Sequence, residues 1–293
     1  MKPPPFAYHG PATLGEALGV LAEVGPDGKV LAGGQSLIPL LNMRLAAPAH
    51  LVDINRVAGL AAVEAGPDGV RVGALARHAA VERSAAAAAA QPLLRQALRL
   101  VAHPVIRNRG TVVGSLVHAD PAAEMPAVLA LLGGSVRLAS LRGEREVGAA
   151  EFFTGPMESA VRPGELAVSS FFPALPERSG TAFHEVARRH GDYAVGGVAA
   201  AVTLDDDFRI AAAKVACVSV GPVPAVVDVT AVCGPRPAAS ADWDAVAAAV
   251  RDGVDPEGDI HATAGYRRHL TGVLAVRALR DAARVASRDG EAA

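Results

Sequence analysis

Two glycine-containing stretches carry the clearest chemical potential in this chain. One is Ala32-Gly33-Gly34-Gln35-Ser36-Leu37, and the other is Thr111-Val112-Val113-Gly114-Ser115. Glycine leaves the backbone bare, so successive N–H groups can close on an oxyanion. Each stretch follows apolar or extended sequence and precedes residues of helical pattern. A helix N-terminus adds favourable potential for negative charge. Two such loops in one chain suit a long ligand with phosphate groups, and a dinucleotide meets that description. Taken singly, each loop reads first as turn punctuation, and the case for a ligand rests on the two together. Neither matches the Rossmann spacing G-x-G-x-x-G or a phosphate loop ending in Gly-Lys-Ser/Thr.

Other polar groups are read against simpler roles. His118, Asp120 and Glu124 lack a recognised metal-ligand spacing, and Asp120-Pro121 reads as a helix start with Asp120 as its cap. Glu124 then lies one turn into that helix, where it can accept hydrogen bonds from a ribose or simply favour the helix dipole. Arg188-Arg189-His190-Gly191-Asp192-Tyr193 is either a solvated turn or a place where Tyr193 meets a planar ligand. In Tyr266-Arg267-Arg268-His269-Leu270 the spacing turns Tyr266 and Leu270 inward and sends the arginines out to solvent. No Ser-His-Asp or Cys-His arrangement stands out, and no carboxylate pair demands acid–base work. A protein that passes electrons through a bound cofactor needs positioning groups and no nucleophile.

The elements that must position these residues follow from hydrophobic period and punctuation. The chain has 293 residues, enough for about two domains of ordinary size. With 51% hydrophobic and 20% charged residues, it can build a substantial core. A net charge of −2 without a basic cluster argues against a nucleic-acid surface. The first 55 or so residues read as an αβαβ unit, with Thr13 and Glu16 forming a capping box. A strand is expected at 70–75, helices at 81–90 and 92–102, and a helix from Asp120 to about Leu132 that stops at Gly133-Gly134. Proline-rich 173–180 reads as a linker, followed by extended segments and two helices, 242–251 and 264 to about 286. The longest apolar run, Met125 to Val136, falls short of the roughly 20 residues that a membrane span needs. No secretory signal pattern opens the sequence, so a cytoplasmic location is expected. The two cysteines, Cys217 and Cys233, can neither frame a disulfide scaffold nor ligate an iron–sulfur cluster.

In this order the motifs resemble the FAD-binding medium subunit of the molybdenum hydroxylases, the carbon monoxide dehydrogenase and xanthine dehydrogenase family. The first loop continues into Leu40-Leu41-Asn42-Met43-Arg44-Leu45 and Leu51-Val52-Asp53-Ile54-Asn55. The second lies in Val105-Ile106-Arg107-Asn108-Arg109-Gly110-Thr111-Val112-Val113-Gly114-Ser115, followed by His118-Ala119-Asp120-Pro121. Gly191-Asp192-Tyr193-Ala194 and Tyr266-Arg267-Arg268-His269-Leu270 match the C-terminal part.

The resemblance implies an α+β fold: a vanillyl-alcohol-oxidase-type FAD-binding domain of two subdomains, then a small C-terminal α+β domain. The expected bounds are 1–175, divided at about 56 and 57, and 181–288. It implies that Ala32, Gly33, Gly34, Gln35, Ser36 and Leu37, together with Thr111, Val113, Gly114 and Ser115, hold the FAD diphosphate between the subdomains. Glu124 would serve the adenosine end, Val101 and Leu166 would line the cofactor, and Tyr193 would lie beside the isoalloxazine. Val113 stands where the family pattern has glycine, so its side chain is expected where the diphosphate approaches. The implied partners are a 2Fe-2S small subunit and a molybdopterin large subunit, in a heterohexamer made as a dimer of heterotrimers. Electrons would come from the 2Fe-2S subunit and leave to an external acceptor, with substrate oxidised on the molybdenum subunit. A stand-alone FAD oxidoreductase of the same fold and a flavin-free scaffold subunit are the alternatives.

Overall fold

The computed structural model describes residues 1–291. Three main sheets follow one another along the chain. The first is parallel, with β1 (Ala7–His9) and β2 (Gly28–Leu31) on either side of β3 (His50–Asp53). β1 is missing from the expected αβαβ pattern because it is only three residues long and largely exposed, so it carries no hydrophobic period. The helix Leu14–Val24 packs against this sheet through Ala17, Leu18 and Leu21. Its capping box forms as expected. Thr13 Oγ1 accepts from the Glu16 N–H at 3.2 Å, and Glu16 Oε2 accepts from the Thr13 N–H at 3.2 Å.

The second sheet has five antiparallel strands. β4 (Val63–Gly66) and β5 (Gly69–Gly73) come first in sequence, then β6 (Ser135–Ser140) and β7 (Gly143–Gly148). A small hairpin of β8 (Phe153–Gly155) and β9 (Glu158–Ser159) leads to β10 (Leu166–Pro173), which inserts between β5 and β6. Six helices separate β5 from β6. The expected 81–90 helix divides into His78–Arg83 and Ala85–Ala90, because Ser84 ends the first and caps the second through Ala87 N–H.

The third sheet is an antiparallel meander of β11 (Ser179–Ala187), β12 (Ala194–Leu204), β13 (Ile210–Val218) and β14 (Ala225–Asp228). The helices Trp243–Asp252 and Ala264–Glu291 cover one face. The other face meets the helix Glu124–Leu132, which is buried nearly all round and whose Met125, Ala127, Val128 and Leu129 share one core with Ala199, Ala216 and Val218. This helix starts at Glu124 and not at Asp120, which corrects the expected cap. Asp120 Oδ1 accepts from the Ala122 N–H at 2.9 Å and closes a turn instead. Cys217 and Cys233 are free and buried, and burial pushes their thiols up to about 12 and about 11.

Glu165 ties the second sheet to the loop before β10. Arg145 grips its carboxylate with two hydrogen bonds of 2.8 Å, and the pair is the main reason that Glu165 titrates below its ordinary value. A depressed carboxylate stabilises the fold above its unfolded pKa, and that contribution is lost as pH falls through the folded value. Glu165→Gln is therefore expected to cost about 1–3 kcal/mol at neutral pH, as for a charged hydrogen bond lost at a buried site. Denaturant titration of both proteins should show the difference vanishing below the lowered Glu165 pKa. An equal difference at every pH would refute the assignment.

Candidate functional site

Residues 28–31 form β2, and the chain then turns through Ala32–Ser36 into the helix Leu37–Met43. Gly34 makes the turn with φ of +73°, a conformation that side chains disfavour. The first helical bond runs from the Ile38 N–H to the Gly34 carbonyl at 3.0 Å, so the N–H groups before it stay outside the helical ladder.

The second stretch behaves differently from its sequence reading. Thr111 is an N-cap, and Val112 to Ser115 already belong to the helix Val112–His118. The Thr111 hydroxyl accepts from the Gly114 N–H at 3.1 Å. A β-carbon at Gly114 would lie 2.5 Å from that hydroxyl oxygen. Val113 is 2% exposed and packs into the core with Val112 and Leu116. The expected intrusion of its side chain on the phosphate side is thus corrected, because the helical turn points it inward. Gly114 and Ser115 are half-buried.

The two stretches meet. A β-carbon at Gly33 would stand 2.5 Å from the Arg109 carbonyl oxygen and 2.7 Å from Gly110 Cα. Backbone therefore touches backbone where the two loops cross. Arg77 locks the crossing: its Nη1 donates to the Arg109 carbonyl at 2.5 Å and its Nη2 to Asn55 Oδ1 at 2.6 Å. Asn55 Nδ2 donates in turn to the Ala32 carbonyl at 2.8 Å. Beneath them His78 is 5% exposed, its ring lies against Gly110, and its N–H donates to the Gly110 carbonyl. Burial lowers its pKa to about 4, so it is neutral at physiological pH. Sequence reading missed Arg77 and His78, which are the N-cap and first residue of the short helix His78–Arg83 and have no motif around them. Asn55 was visible only as the end of a longer motif.

Leu166 and Val101 lie behind the loops, each in a different core. Leu166 is 3% exposed and clusters with Val52 and Leu75, with Ala32 packed against the group. Val101 is 8% exposed and clusters with Val112 and Val113. Most of each side chain is spent on the core, which leaves little surface for a ligand.

Farther along, a cleft of about 740 Å³ opens between the 120–122 turn and the third sheet, lined among others by Asp120, Tyr193, Ser219, Pro222, His261 and Arg267. Tyr193 is 68% exposed there. Partial desolvation in the cleft wall, then the Asp120 and Glu124 carboxyls, raise its phenol above the ordinary value. The loop before it is shaped by Gly191, with φ of +83°, where a β-carbon would fall 2.8 Å from the His103 ring. Arg188, Arg189 and His190 are exposed. Tyr266 and Arg267 reverse their expected places: Tyr266 is 48% exposed and Arg267 is 7% exposed. Backbone carbonyls at that point reward a buried donor more than a buried ring, and no helical period can reveal them.

Glu124 and Glu185 form the most perturbed pair. Burial and then Glu185 push Glu124 up to about 8, and burial pushes Glu185 up to about 7. Among the described residues Glu185 Oε2 has no hydrogen-bond partner. Two carboxyls of raised pKa fit a place where a ligand's hydroxyl groups would donate to them.

An α+β chain whose glycine stretches meet backbone to backbone is, by comparison with known proteins, an FAD-binding subunit of an oxidoreductase. The chain belongs to the FAD-binding medium-subunit family of the molybdenum hydroxylases. Residues 4–175 match the family model for the FAD binding domain in molybdopterin dehydrogenase, and residues 181–282 match the CO dehydrogenase flavoprotein C-terminal domain. The chain is 42% identical to the 6-hydroxypseudooxynicotine dehydrogenase complex subunit alpha of Paenarthrobacter nicotinovorans, over 95% of each chain. It is 36% identical to the carbon monoxide dehydrogenase medium chain of Afipia carboxidovorans, over 70% of this chain and 71% of that one. Among solved structures, a Cu,Mo-CO dehydrogenase chain superposes with a TM-score of 0.91 at 32% identity, covering 97% of this chain and 99% of that chain. A chain of quinoline 2-oxidoreductase from Pseudomonas putida 86 also superposes at 0.91, with 35% identity and coverage of 98% and 99%. Among the described residues no helix is long and apolar enough to cross a membrane.

A carboxyl whose folded pKa is raised costs stability above its unfolded value, and the cost grows as pH climbs to the folded value. In the flavin-free protein, Glu124→Gln is accordingly expected to raise stability by about 1–3 kcal/mol at pH 9, the usual penalty of a buried unsatisfied charge. At pH 4 the two proteins should unfold alike. Thermal melts at both pH values check this, and a destabilised variant at pH 9 would contradict it.

Proposed function

We propose that this chain is the electron-transfer station of a molybdenum hydroxylase complex, taking electrons from a 2Fe-2S small subunit and passing them to an external acceptor. Substrate oxidation then belongs to a molybdopterin large subunit, and the assembly is a dimer of heterotrimers acting in the cytoplasm. Residues 1–175 serve as the flavin-binding unit and 181–288 as its C-terminal domain.

The observation that carries the reading is the crossing at Gly33. Two loops that touch without side chains between them bring bare backbone from both stretches together, and a diphosphate bound by backbone N–H groups needs such an approach. The residues assigned to it are Ala32, Gly33, Gly34, Gln35, Ser36 and Leu37 on one side, and Thr111, Val113, Gly114 and Ser115 on the other, where the Gly114 and Ser115 N–H groups already donate to Thr111 and close the helical turn. Both flanking helices are only seven residues long, so the directed N–H groups matter more than any macrodipole. Glu124 serves the adenosine end by accepting hydrogen bonds from ribose hydroxyls, which spares it an unpaired charge. Tyr193 lies beside the ring system at the cleft, and Val101 and Leu166 line the cofactor with the little surface that the core leaves them. When bound, FAD supplies the capacity to exchange electrons singly on one side and in pairs on the other. The chain's own part is to bind, orient and shield it.

Two measurements test this. The protein purified with its partners should be yellow and should release FAD on acid extraction, one per chain. Gly33→Ala would push the loops apart and should weaken FAD binding at least tenfold, about 1.4 kcal/mol. A folded Gly33→Ala protein with unchanged FAD affinity would remove the cradle from the account. Isolation of the native protein as a flavin-containing single chain would favour a stand-alone oxidoreductase.

A further inference from the structure

Tyr193 is held from behind by groups that belong to none of the cofactor loops. Arg267 lies in the first turns of the helix Ala264–Glu291, almost fully buried. Its Nη1 donates to the Val195 carbonyl at 2.8 Å and to the Ser219 carbonyl at 3.3 Å. Its Nη2 donates to Asp259 Oδ2 at 2.7 Å. Backbone N–H groups of Ala262 and His261 secure that aspartate as a carboxylate down to about 2.

Ser219 completes the grip. It sits at φ of +61°, a left-handed conformation that costs a non-glycine residue. Its hydroxyl donates to the Ala194 carbonyl at 2.6 Å, and its N–H donates to the Pro121 carbonyl at 2.9 Å. Pro121 belongs to the turn between the second loop's helix and Glu124. One guanidinium and one strained serine therefore seize the two residues after Tyr193 and fasten them to the flavin-binding domain. A buried guanidinium is expensive to desolvate and cannot serve as simple core filling, since its donors need partners. The side chain that is present instead fixes a particular stretch of backbone.

We propose that Arg267 is a positioning residue for the flavin site: from the C-terminal helix it sets the height and tilt of the Tyr193 ring by holding the Val195 and Ser219 carbonyls. The proposal rests on the reading that Tyr193 lies beside the flavin ring. Its partner in the task is Ser219, through Ala194.

The test uses the full chain loaded with FAD and reads flavin fluorescence and visible circular dichroism, with extracted flavin as the measure of occupancy. A tyrosine ring in contact with flavin quenches its emission. Arg267→Gln should keep FAD bound, because the diphosphate cradle is untouched, yet brighten the flavin several-fold. Tyr193→Ala should brighten it to a similar degree, and the double variant should add nothing further. Arg267→Lys, with fewer directed donors, should recover part of the quenching. If Arg267→Gln binds FAD with wild-type emission and dichroism while Tyr193→Ala is bright, the proposal is overturned and the flavin placement stands. If Tyr193→Ala leaves a flavin-loaded protein unchanged, the placement fails and takes the proposal with it. Should Arg267→Gln not fold, Ser219→Ala removes only the hydroxyl tie to Ala194 and is read in the same way. Unchanged emission there overturns the proposal too.

Discussion

The site depends on a contact with no side chain in it. Gly33 lies so close to Arg109 and Gly110 that even a methyl group would collide with backbone. This approach joins the parallel β1–β3 unit to the segment that leads into the helix Val112–His118, and it brings the two glycine stretches together. The contact is weak in itself, because two bare backbones bury little apolar area. Its stability comes from the Arg77–Asn55 bridge, which ties the Arg109 carbonyl to Ala32, and from the neutral His78 ring packed under Gly110. The crossing is thus a polar joint built over an apolar floor.

A second joint lies at the helix Glu124–Leu132. It is apolar on nearly every side, so it can serve two sheets at once, the five-stranded sheet and the C-terminal meander. Its first residue, Glu124, is therefore carried into the seam between the two units. There it meets Glu185 from β11, and the pair resists ionisation. The same seam contains Tyr193 and the Ser219–Pro121 bond. Packing and chemistry are coupled at this place: the helix that completes the core also delivers the carboxyl.

Val113 illustrates how a motif can mislead when read as a loop. In an extended loop its side chain would face the ligand side. In the first turn of a helix capped by Thr111 it faces the core, and only backbone is presented outward. Valine is accommodated at this position because the core takes up its side chain. Asp120 misleads in the same manner, since an Asp-Pro pair closes a turn as readily as it starts a helix.

Much of the architecture was legible because it rests on short-range physics. The Thr13–Glu16 capping box, the strand at 70–73, the stop at Gly133 and the two C-terminal helices all follow from local period, caps and breakers. The two glycine stretches also announced themselves, since their composition restricts what the backbone there can do. The tertiary structure alone decided which of their atoms face a ligand, that Gly33 touches Arg109 and Gly110, and that Arg77 and His78 belong to the joint. It also decided that Arg267, and not Tyr266, turns inward. Those choices are set by carbonyls and carboxylates brought close from distant parts of the chain. A local pattern fixes which way a helix or strand can bury its apolar face, but a polar side chain goes where its partners are, and the fold alone determines where that is.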